Sequence, residues 1–155
     1  MAYRIEGLAP DRFESLFGMR DNELAARGAM RVRADAPRGY PCRVSLRDAD
    51  EGEELILLNH VSHDVDGPFR TTYAIYVRKQ AAAQASYTDE APPYLDSRTL
   101  SLRGFGADGL LKDGQLAMPG EADAKIRALF ERPDVDTIHA HAATYGCFLA
   151  RIERN

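Results

Sequence analysis

Apolar and polar positions alternate with a period of two over several short stretches of this chain, and a helical period replaces that alternation in only a few places. Tyr3 to Leu8 alternates as a first strand. Pro10 then opens Asp11 to Phe17, where Phe13, Leu16 and Phe17 share a helical stripe, and Asp21 caps a second short helix with Leu24 and Ala25 turned inward. Met30 to Arg33 reads as extended. Pro37 to Pro41 cannot continue a helix and delivers Cys42 and Arg43 to the start of a new element.

Glu53 to Val61 and Thr72 to Arg78 are the strongest strands, joined by a polar loop that carries His63, Asp64, Asp66, Gly67 and Pro68, and they are expected to pair antiparallel. Gln80 to Ser97 reads as an exposed loop with one helical turn. Thr99 to Phe105 starts a hairpin marked by Gly104, Gly106, Gly109 and Asp113-Gly114. Gly120 to Glu131 is the clearest helix, with Ile126, Leu129 and Phe130 on its apolar face, and Pro133 stops it. Thr137 to Ala142 and Cys147 to Glu153 complete the strands. In the last of these, strict alternation places Phe148, Ala150 and Ile152 on one face and Cys147, Leu149 and Arg151 on the other. Short connections and few helices predict one α+β domain over residues 1–155, with a mostly antiparallel mixed sheet and about three helices.

Size and composition agree with that picture. At 155 residues the chain has the usual length of one domain, about 100 to 200 residues, and it needs no disulfide staples. The stretches Leu55 to Leu58 and Tyr73 to Val77 fall far short of the roughly 20 apolar residues of a membrane-spanning helix. Met1 to Phe17 has no continuous apolar run of the kind a secretory signal contains, so the expected setting is cytoplasmic. The formal charge of -4 argues against nucleic acid as a partner.

Charge is unevenly spread: seven arginines against three acids occupy Arg20 to Arg47, and Asp48, Asp50, Glu51, Glu53 and Glu54 follow without a base. Lys79, Lys112 and Lys125 are the only lysines, and arginine suits forked contact with carboxylate or phosphate. Arg43, Arg98, Arg103 and Arg151 lie on strands or beside their starts, where an inward guanidinium needs an anion. A bound small anion would supply one, and so would an ion-pair network with the run Asp48 to Glu54.

His139 and His141 are two apart on a strand, so their rings share a face, as strand-borne ligands of a divalent metal do. A third ligand would have to come through folding from Cys147, His60, His63 or Asp64; otherwise one or both histidines face solvent or are hydrogen-bonded at a sheet edge. Cys42 and Cys147 form no CxxC motif. Beside Arg43, Cys42 could serve as a thiolate nucleophile with His139 or His141 as its base. The alternatives are a buried apolar thiol, or a disulfide to Cys147.

Three separated motifs, Pro41-Cys42-Arg43, Leu100-Ser101-Leu102-Arg103-Gly104, and Gly146-Cys147-Phe148 with Arg151-Ile152-Glu153-Arg154, resemble the bacterial family catalogued as domain of unknown function 1203, over almost the whole chain. That family more often has tyrosine where this chain has Phe105, and the kinship implies no activity. The functional expectation is a small-molecule-binding or enzymatic domain whose cleft gathers Cys42, Arg43, Arg103, His139, His141 and Cys147 around a small anionic ligand. The alternative is a non-catalytic domain that binds a partner protein or forms a homodimer by sheet-edge pairing.

Overall fold

The computed structural model describes residues 2–155 and divides the strands between two sheets, both mostly antiparallel. The first sheet has six strands in the order β7-β1-β11-β10-β8-β9: β1 (Tyr3–Glu6), β7 (Ser86–Thr88), β8 (Leu100–Phe105), β9 (Leu111–Ala117), β10 (Thr137–Ala142) and β11 (Phe148–Arg154). The second has five, in the order β2-β5-β6-β3-β4: β2 (Met30–Arg33), β3 (Pro41–Cys42), β4 (Arg47–Asp48), β5 (Glu54–His63) and β6 (Thr71–Arg78). A single parallel pair, β3 against β6 through Cys42 and Tyr76, makes the second sheet mixed. Three α-helices are found among the described residues: α1 (Asp21–Ala26), α2 (Pro93–Asp96) and α3 (Ala122–Phe130).

Each sheet has its own apolar cover. Ile126, Leu129 and Phe130 of α3 pack with Leu100, Leu102, Ile138 and Ile152 on one face of the first sheet, which is the helical stripe the sequence predicts. On the second sheet, Ile56, Ile75, Val77, Cys42 and Val44 pack beneath Phe13, Leu16 and Leu24. The segment carrying Phe13 and Leu16 is not the expected helix. It is two 3-10 turns, Pro10–Arg12 and Glu14–Gly18, because Phe13 between them leaves helical geometry at φ -121. Ala25, expected inward, is exposed. Within Gln80 to Ser97, α2 is the anticipated helical turn, whereas Ser86–Thr88 pairs with β1 as an edge strand too short to show alternation.

Two register shifts alter which side chains share a face. In β11, His139 pairs with Arg151, Ala140 with Ala150, and His141 with Phe148, so Leu149 is the extra residue of a β-bulge. The bulge overturns the strict alternation expected for this strand. Leu149 joins Ala150 and Ile152 under the helices, while Phe148 turns to the opposite face with Arg151. In β5, His60 pairs with Tyr73 and His63 with Thr71, leaving Ser62 extra. His60 and His63, three apart and thus on opposite faces of a regular strand, here share the face of Tyr73.

The sheets are also joined through the backbone at Arg43 and Val44. Leu8 donates its N–H to the Arg43 carbonyl at 2.7 Å and Ala85 donates to Val44 at 3.0 Å. This join fixes Gly7, because a Cβ there would lie 1.9 Å from the Val44 carbonyl oxygen. Gly7→Ala should therefore lower stability by about 1–3 kcal/mol, the usual cost of overpacking. Urea unfolding measures it, and a wild-type midpoint would show that β1 does not depend on this close approach.

Candidate functional site

The face of the first sheet opposite α3 carries Arg103 and Phe105 from β8, Thr137, His139 and His141 from β10, and Phe148 and Arg151 from β11. Against it stand His60, His63 and Tyr73 of the second sheet. The His63 ring lies 4.1 Å from Phe105 and 5.1 Å, edge-on, from His139; Tyr73 is 5.0 Å from His141, and Phe148 is 5.4 Å from His139 and 5.9 Å from His141. The sheets thus meet over a layer of imidazole, phenyl and phenol rings.

Two of the imidazoles are anchored by backbone. His63 donates Nε2–H to the carbonyl of Gly109 and His141 donates Nδ1–H to that of Gly146, each at 2.9 Å. His139 is 1% exposed and its Nε2 has no hydrogen-bond partner. Burial pushes the His139 pKa down to about 3, helped by His63, His141, Arg151 and Arg103; burial, with Arg103 and Arg43 nearby, pushes His141 down to about 4. Both rings are neutral at pH 7. Among the described residues no three His, Cys, Asp or Glu side chains are arranged to hold a metal ion.

The arginines around this layer differ in their partners. Arg103 donates to the Tyr73 hydroxyl at 3.0 Å and to Ser101 Oγ at 3.2 Å, with no carboxylate. Arg43 is 2% exposed and also lacks a carboxylate; it donates Nε–H to the Phe148 carbonyl at 2.8 Å and Nη1–H to that of Pro41. Arg151 meets Glu153 at 2.8 Å, and Arg98 meets Asp48 at 2.6 Å. Of the four predicted arginines, only Arg98 joins the acidic run Asp48 to Glu54. The fully buried pair in that run is Glu53 with Arg78, at 2.6 Å, which the sequence reading did not single out.

The six residues expected in one cleft fall into three environments. Cys42 belongs to the second apolar core, where its Sγ accepts the Arg78 backbone N–H at 3.3 Å and no imidazole is hydrogen-bonded to it. Both cysteines are free thiols. His139, His141 and Arg103 belong to the ring layer. Arg43 and Cys147 line a separate cavity of about 450 Å³, together with Leu57, Tyr76, Arg98 and Tyr145. A further cleft of about 310 Å³ opens beside the ring layer and is lined by Arg12, His60, His63, Thr137 and Arg151 among others. Arg12 is not legible in the sequence as a site residue, and His60 only as a third metal ligand, because the 3-10 turn and the bulge at Ser62 that present them leave no mark on the hydrophobic pattern.

No helix of the described chain is long and apolar enough to cross a membrane. The family described as Protein of unknown function (DUF1203) matches residues 39–154, from the loop before β3 to the end of β11. No curated protein and no solved structure matches.

The ring layer makes a prediction about acid. Unfolded histidine titrates near 6.5, and the folded values of His139 and His141 lie below it. The unfolded chain therefore binds more protons between those values. Stability is full above pH 6.5 and falls progressively toward pH 4 and below. Replacing His139 by Phe removes one such group and the unpartnered Nε2. The variant should be at least as stable as wild type at pH 7 and unfold at lower pH, as followed by circular dichroism across an acid titration. An unchanged acid midpoint would mean that His139 does not govern it.

Proposed function

We propose that this chain, which belongs to the family described as Protein of unknown function (DUF1203), binds a small organic monoanion, a carboxylate on an apolar body, in the cavity walled by Arg43. The observation that carries this reading is the state of Arg43. A guanidinium removed from water needs compensation, and backbone carbonyls occupy only its Nε and Nη1. Its Nη2 makes no hydrogen bond among the described residues, and the side chain forms part of the cavity wall.

The rest of the wall supports the ligand class. Leu57, Ala74, Tyr76, Ala142 and Leu149 offer apolar contact, and Arg98, the other cation there, is already matched by Asp48. One uncompensated positive charge in an apolar cavity suits a single carboxylate better than a dianion. A reducing, intracellular setting fits this reading, since Cys147 on the wall is an unpaired thiol.

Thermal-shift screening of matched carboxylates, amines and sugar phosphates tests it. Carboxylates with an apolar body should raise the melting temperature, as any ligand specific to the folded state does. Arg43→Met should abolish the response, and Ala74→Phe, which fills the cavity and leaves Arg43 intact, should abolish it too. The reading fails if amines stabilise as well as carboxylates, or if both variants respond like wild type.

A second reading, self-association, has its own observation. β9 is an edge strand of the first sheet, and Leu110, Leu111, Leu116 and Met118 on and beside it are exposed, Leu116 by 60%. Light scattering coupled to size exclusion should then report a dimer that Leu116→Lys converts to monomer. A monomer at high concentration excludes this reading.

A further inference from the structure

We infer that the cleft between the two sheets, at Arg12, His60, Thr137 and Arg151, is a second anion site, suited to a tetrahedral oxyanion such as the terminal phosphate of a small metabolite. It is independent of the Arg43 cavity. Its donors arrive from four separate elements: Arg12 from the first 3-10 turn, His60 from β5, Thr137 from β10 and Arg151 from β11. Donors converging from several directions match oxygens arranged around a centre, whereas a planar carboxylate is served by one guanidinium fork.

Two guanidiniums of the cleft keep nitrogens that an anion can take. Among the described residues Arg12 makes no ion pair, and Arg151 pairs with Glu153 through Nε and makes no side-chain hydrogen bond through its terminal nitrogens. Two carboxylates also line the cleft. Asp64 is already held by Arg70 at 3.2 Å and Glu153 by Arg151 at 2.8 Å, so Asp136 is the carboxylate of the cleft that faces Arg12 without an ion pair of its own among the described residues. Ser62 and Thr137 add hydroxyls at the wall. The bulge at Ser62 is what brings His60 to the same face as His63, and bulges concentrate where a strand must re-aim a side chain.

His60 gives the site a second property. Burial, then the cations Arg12 and Arg43, hold its pKa below the ordinary value. The other charged or titratable groups around the cleft are His63, Asp64 with its partner Arg70, Asp136, and Arg151 with its partner Glu153, and the Phe148 ring, 6.2 Å from His60, is neutral. A dianion placed between Arg12 and Arg151 reverses the sign of the local field, so His60 takes up a proton as the anion binds. Affinity therefore rises as pH falls.

Sulfate is the probe, because it stays a dianion across the useful pH range. Titration into ¹⁵N-labelled protein should give saturable shifts confined to Arg12, His60 to His63, Thr137 and Arg151, with binding severalfold tighter at pH 5.5 than at pH 7.5. Arg12→Gln, an exposed change that leaves the fold intact, and Arg151→Gln should each weaken binding at least tenfold. His60→Asn should flatten the pH dependence, and Ala74→Phe, which fills the other cavity and leaves Arg43 in place, should change nothing. Shifts scattered over surface arginines such as Arg38 and Arg47, or wild-type affinity in both arginine variants, would overturn the site. Acetate binding as tightly as sulfate would overturn the ligand class, and an unaltered pH profile in His60→Asn would overturn the proton linkage.

Discussion

The two sheets rest on each other through a layer of rings in which burial keeps His139 and His141 uncharged. His63, Phe105, His139, Phe148, His141 and Tyr73 are in contact across the gap, and protonating His139 or His141 would put a charge where burial disfavours it. The nearby guanidiniums enforce this neutrality, since Arg103, Arg43 and Arg151 all oppose a proton on the histidines. The same requirement governs how the arginines are satisfied. A carboxylate beside Arg43 or Arg103 would stabilise those cations but would also favour imidazolium, so both are matched instead by hydroxyls and backbone carbonyls. The consequence is that Arg43 and Arg103 have no carboxylate partner among the described residues.

Backbone irregularities build the ring layer. Without the extra residue Ser62, His63 would leave the face of His60; without the extra residue Leu149, Phe148 would point into the core beneath α3. Phe148 then serves both sides. Its carbonyl accepts the buried Arg43 guanidinium that walls one cavity, while its ring lines the cleft beside His60. The neighbouring Gly146 supplies the carbonyl that orients His141, so one short turn positions parts of both regions.

What could be read from the sequence was whatever obeys a single period. The strands β5, β6, β8 and β10, the helix α3 with Ile126, Leu129 and Phe130, and the common face of His139 and His141 follow from alternation or helical spacing, and each is present; β11 is present with its alternation broken at Leu149, and β9 runs through Asp113-Gly114, where the sequence predicts a turn. The pairing of Arg98 with the acidic run also follows from composition. The convergence of Cys42 with the histidines does not occur, because period and spacing cannot show which face of a two-residue strand meets which sheet. The ion pair of Glu53 with Arg78 forms because Glu53 immediately precedes β5, whose start lies opposite the last residue of β6, with Leu55 paired to Arg78, a relation visible only once strand register is known.

Stability alone does not account for the composition of the ring layer. A sheet interface selected only for burial would hold phenylalanine or leucine, which need no hydrogen-bond partner and lose nothing in mild acid. This one holds His139 with an unpartnered nitrogen, His63 and His141 tied to single carbonyls, and two arginines matched by neutral groups. Each of those choices costs free energy relative to an apolar side chain of similar size. Local departures from the cheapest packing gather where a protein has something to bind. Here they gather between the two cavities that still have arginine nitrogens without partners, which is why the anion-binding reading rests on the ring layer as much as on either cavity alone.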